Sequence, residues 1–134
     1  MISYREAQQH LENIGNQNVY IEPHFQYIIK KAVDELNQQD SNILRNVSDI
    51  IGRIDKSVFG EYSTSTSNTI YINIQRIQDE VKRKIGTTDQ EQVEAEILRQ
   101  IKKTIVHEAT HLNEYQSTGY TSEYKPEEAE KTIK

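Results

Sequence analysis

Hydrophobic positions recur along this chain with two different periods. Tyr4, Ala7, Leu11 and Ile14 share one helical face over residues 3–14, with Ser3 and Glu6 as a capping box and Gly15 as a stop. Ile28, Ile29, Ala32, Val33 and Leu36 form a second stripe and predict a helix from about Pro23 to Gln38. Over residues 42–55, Ile43, Leu44, Val47, Ile50, Ile51 and Ile54 are spaced for a third. Two strands then follow, Ser57–Ser63 and Asn68–Ile74, the latter with Ile70, Ile72 and Ile74 alternating. The Ser/Thr run over residues 63–67 suits the hairpin loop between them. Helical spacing returns at Ile77, Val81 and Ile85 before Gly86. A capping box from Thr88 to Glu91 opens a long helix with Val93, Ile97, Ile101, Ile105 and Leu112 inward. Carried to Gln116 it would reach about 40 Å at ~1.5 Å per residue, so a bend or an earlier loop is expected. The tail is polar, with Gly119 as a break and Pro126 as the start of a short last helix. The pattern predicts an α+β domain spanning residues 1–134, with a small antiparallel sheet packed on helices.

Composition narrows the function classes. The chain has 134 residues, only 34% of them hydrophobic, so its core must be economical or shared with a partner. Its apolar runs are far too short for a membrane span or a secretory signal, which predicts an intracellular protein with no membrane span. Sixteen basic against twenty-one acidic residues give a net charge of −5. Lys82-Arg83-Lys84 and Lys102-Lys103 stand among acids, so no positive footprint for nucleic acid is expected. There is no cysteine, so a metal would be held by His, Asp and Glu.

Such a group is present. His107 and His111 are one helical turn apart with Glu108 between them. On a helical wheel Glu108 and His111 lie within the arc of Ile97, Ile101 and Ile105, and His107 lies on its margin. Both imidazoles can reach one ion, and Glu108 can take a proton from a metal-activated water. His10 and His24, in contrast, are read as exposed or capping residues.

The sequence His107-Glu108-x-x-His111 resembles the signature of the zincin metallopeptidases. The metzincin branch requires Gly three residues and His six residues after the second His, where this chain has Glu114 and Ser117. The aspzincin branch requires a later Asp, and none follows Asp89. The gluzincin branch takes a Glu from a later helix, and Glu123, Glu127, Glu128 and Glu130 are available. The resemblance implies Glu130 as third zinc ligand, eighteen residues separating it from His111, with Glu127 as runner-up. It also implies a phenol near the oxyanion, for which Tyr115, Tyr120 and Tyr124 are candidates and Tyr115 is preferred. Zincins bind extended peptide along a sheet edge, and Asn68–Ile74 is the strand this suggests. The expectation is a zinc-dependent peptidase with one Zn2+ ion, Glu108 as general base and a peptide or protein substrate. Its rival is a catalytically weak or latent zinc-binding or peptide-binding module.

Overall fold

A computed structural model describes residues 11–14, 17–20, 26–53, 59–64, 68–119 and 124–133. The elements are β1 (Leu11–Ile14), β2 (Gln17–Tyr20), α1 (Gln26–Gln39), β3 (Asp49–Arg53), β4 (Gly60–Ser63), β5 (Thr69–Asn73), α2 (Ile74–Lys84), α3 (Gln90–Thr118) and α4 (Tyr124–Glu130). The class is mixed α and β, with the strands in one small sheet of order β1-β2-β3-β5-β4.

The sheet is mixed, where an antiparallel one was expected. β1–β2 and β4–β5 pair antiparallel, but β3 runs parallel to both β2 and β5. Connectivity explains this. Strands joined by a short loop pair as hairpins, whereas β2 reaches β3 through α1, and a helical crossover returns the chain in the same direction. β5 is interior, between β3 and β4, so Asn68–Ile74 is not the edge that the sequence suggested. Among the described residues the edge on this side is β4.

Two expected helices are corrected. Residues 11–14 are strand, and residues 3–10 of that expectation lie outside the described residues. Residues 41–46 form turns closed by Ile43 N–H to Asp40 O (3.2 Å) and Val47 N–H to Leu44 O (3.1 Å), and β3 begins at Asp49. Ile50 and Ile51 fit a helical stripe by spacing, but β-branched side chains also suit a strand with neighbours on both sides. Packing decided for the strand.

The long helix α3 organises the core. Val93, Ile97, Ile101, Ile105, Ala109 and Leu112 are buried along one face. They meet Ile29, Val33 and Leu36 of α1, Ile77 and Val81 of α2, and Ile70 and Ile72 of β5 in one hydrophobic cluster. Fully burying each such side chain contributes about 1.5–3 kcal/mol. The helix runs unbroken over 29 residues, without the expected early loop, because no Gly or Pro lies within it and its apolar stripe continues through Leu112. Its N-cap is Asp89, whose carboxylate accepts Gln92 N–H at 3.0 Å, one residue later than the Thr88 cap expected. Gly119 ends it in the left-handed conformation (φ 71°), as its position as a break implied. α4 starts at Tyr124, which leaves Pro126 in the first turn, where its missing N–H costs no helical bond.

Asn side chains fasten the far end of α3 to the sheet. Asn113 donates to Ile43 O (3.0 Å) and accepts from Asn46 (2.9 Å), while Asn68, at the start of β5, donates to Asn46 O (2.9 Å). No helix among the described residues is long and apolar enough to cross a membrane.

Candidate metal centre

The site is built on two successive turns of α3. His107, Glu108 and His111 each offer a ligand atom, and these atoms lie within 4.8 Å of one another. Glu108 is 9% exposed and His111 5%, while His107 is half-buried. His107, which the wheel places on the margin of the apolar arc, is the least buried of the three. The two imidazoles meet edge to face, with centroids 5.0 Å apart and planes at 64°.

The edge strand completes one wall. Tyr62 stacks on His111, with centroids 5.1 Å apart and planes at 14°, which limits the rotation of that imidazole. Gly60 lies two residues earlier on the same face of β4. A Cβ at Gly60 would stand 2.6 Å from Thr104 Cγ2, 3.0 Å from Tyr71 O and 3.5 Å from Glu108 Cγ. Only a residue without a side chain lets the strand approach the turn that carries Glu108. Thr104 keeps its hydroxyl on its own helix by donating to Gln100 O at 2.9 Å.

The opposite wall comes from α4. Glu130 Oε2 lies 2.8 Å from Nδ1 of His107. Its backbone carbonyl accepts Ile133 N–H at 3.1 Å, and Ile133 is buried at 3% exposure, so the end of α4 is anchored in the core. A proton on Nδ1 directed at Glu130 leaves the Nε2 lone pair of His107 available to an ion. Between the walls lies a cleft of about 360 Å³ lined by Phe59, Gly60, Arg76, Thr104, His107, Glu108 and Glu130.

The structure therefore brings His107, Glu108, His111 and Glu130 to one place. It puts Glu130 on Nδ1 of His107, and Glu130 is not a member of the convergent group of three. Glu127 is exposed, as is Glu128, which pairs with Lys131 at 3.0 Å. Tyr115 is 41% exposed and does not line the cleft; its carbonyl accepts the Gly119 N–H that caps the helix. His10, His24, Tyr120 and Glu123 lie outside the described residues, as does the side chain of Tyr124. Sequence reasoning missed Gly60, Tyr62, Phe59 and Arg76. A signal existed for the first two, since alternation along Ser57–Ser63 puts Gly60 and Tyr62 on one face.

Two imidazoles with neighbouring carboxylates are a nitrogen and oxygen donor set suited to zinc and to other borderline divalent ions. No family model, curated protein or solved structure matches this chain.

Proposed function

We propose that this protein is a zinc-dependent peptidase of zincin type, with His107 and His111 holding one ion and Glu108 as the general base. The observation that carries the reading is the convergence of His107, Glu108 and His111 at a buried face of α3, beside a cleft and a sheet edge. A zinc ion held there supplies Lewis acidity, which polarises a carbonyl and makes water a competent nucleophile near neutral pH.

The protein's own residues supply the rest. Glu108 takes the proton of the attacking water and returns it to the departing amine, a transfer that low exposure favours. Glu130 accepts the Nδ1 proton of His107 and so fixes the tautomer and ring orientation that binding requires. That contact favours an orienting role for Glu130 over the ligand role implied by the zincin resemblance. A peptide occupying the cleft would lie against Gly60 of β4, the last strand of the sheet on this side among the described residues.

Metal analysis of the purified protein before and after chelation, followed by the Glu108→Gln variant, tests the reading. Stoichiometric zinc is expected in both proteins, with peptide cleavage lowered by orders of magnitude in the variant. Wild-type protein that takes up no transition metal from zinc-containing medium ends the proposal. Zinc without cleavage of any peptide in a random library would leave the binding-module reading.

A further inference from the structure

Arg76 lines the same cleft as His107 and Glu108, although neither the signature nor the helical stripe points to it. It lies in the first turn of α2, which follows β5 with no intervening loop. The Asn73 N–H donates to Phe59 O at 2.9 Å, which sets the start of α2 against the residue preceding β4. The Arg76 guanidinium then lies 5.0 Å from the centroid of the Phe59 ring. Its Nη1 donates to Glu80 Oε2 at 2.7 Å.

Glu80 does not depend on Arg76 for neutralisation. It also pairs with Lys84 at 2.8 Å and with Arg83, so three cations surround one carboxylate and leave two positive charges in excess. A guanidinium has five N–H donors in a planar fork, and Glu80 engages it through Nη1. Among the described residues Arg76 has no further partner beyond Glu80 and Phe59. The Phe59 ring and Glu80 hold the fork in place, so receiving a ligand costs little additional ordering. The histidine side of the cleft carries the carboxylates of Glu108 and Glu130, so the charge along the cleft is unequal.

We propose that Arg76 binds a carboxylate of the peptide occupying the cleft, so that anionic peptides are the preferred ligands. The proposal rests on the peptidase reading only in taking the ligand to be a peptide. The carboxylate is either an acidic side chain or a free C-terminus, which present the same planar anion to the fork.

Acetylated hexapeptides of randomised neutral sequence distinguish these sources when made in three versions: C-terminal amide, C-terminal acid, and amide with one Glu. Binding is measured by calorimetry to the Glu108→Gln protein, with and without added zinc, since this protein is not expected to turn the peptides over. One anionic version should bind about 10- to 100-fold more tightly than the neutral amide, the range of a charge-assisted bidentate contact. The version that gains identifies the source. Adding Arg76→Gln should remove the gain, and a thermal melt verifies that this protein is folded. If it is not, Arg76→Lys replaces it, keeping the charge beside Glu80 without the planar fork. Equal binding of all three versions, binding of none, or a preference undiminished by either Arg76 substitution overturns the proposal. Cleavage by the protein with Glu108 intact is scored separately. Cleavage indifferent to peptide charge sinks the Arg76 assignment and leaves the peptidase. Arg76-dependent binding without cleavage does the reverse.

Discussion

Glu130 reaches across 23 residues of chain to place its carboxylate 2.8 Å from Nδ1 of His107. The contact couples α4 to the turn of α3 that carries the His107, Glu108 and His111 group, and it gives the resemblance-implied acid a role that can be measured. Glu130→Gln should weaken zinc affinity by about 10- to 100-fold, the usual cost of losing a carboxylate behind a ligand histidine. Glu127→Gln, at an exposed position, should leave affinity unchanged. Competition with a chromogenic chelator reads both. Wild-type affinity in Glu130→Gln would remove Glu130 from the site.

Zinc should also stabilise the fold through both histidines. An ion that binds only the native state at 100-fold above its Kd adds about 2.7 kcal/mol. For a domain of this size that corresponds to roughly 10 °C in Tm. Chelation should therefore lower the Tm of the wild type by that order and leave His107→Ala and His111→Ala unmoved. A chelator effect that persists in either variant would place the ion elsewhere.

The helices were readable where one face is buried along a whole element. Ile29, Val33 and Leu36 keep helical spacing on α1, and Val93 through Leu112 keep it on α3, whatever their partners are. The same spacing put Glu108 and His111 on the buried face. Residues 42–55 misled because the helical spacing of Val47, Ile50 and Ile51 runs across a boundary: Val47 closes a turn, while Ile50 and Ile51 belong to β3, which only pairing with β2 and β5 selects. Strand order was out of reach too, since it depends on where the α1 crossover returns the chain. The contacts that shape the site join elements distant in sequence: Tyr62 on His111, Glu130 on His107, Gly60 against Thr104. Local periodicity carries no information about such pairs.

Gly60 should tolerate no side chain. In Gly60→Ala the new methyl would meet Thr104 Cγ2 at 2.6 Å and Tyr71 O at 3.0 Å, and overpacking of this kind costs about 1–3 kcal/mol. Thr104→Ser deletes the clashing Cγ2 and keeps the hydroxyl that donates to Gln100 O. The double variant Gly60→Ala with Thr104→Ser should thus recover part of the loss, the remainder being the contact with Tyr71 O. Urea unfolding of the four proteins gives the coupling. Strict additivity would mean that the strand does not press on α3 at this turn.

The ion-pair cluster around Glu80 on α2 predicts how stability follows pH. Lys84, Arg76 and Arg83 hydrogen-bond the Glu80 carboxylate and hold its pKa at about 2, against an ordinary 4.5. A carboxyl whose folded pKa lies below its unfolded one stabilises the native state fully above the unfolded value. That contribution is then lost as the pH falls through the folded value. Glu80→Gln should therefore be less stable than the wild type at pH 7, with the gap constant down to about pH 4.5 and closing towards pH 2. Because the Arg83 and Lys84 side chains are 67% and 65% exposed, added salt should narrow the gap at pH 7. Urea unfolding of both proteins at pH 7, 4.5 and 2, each at low and high salt, reads the effect. A gap of the same size at pH 2 would assign the loss to packing of the side chain instead of its charge.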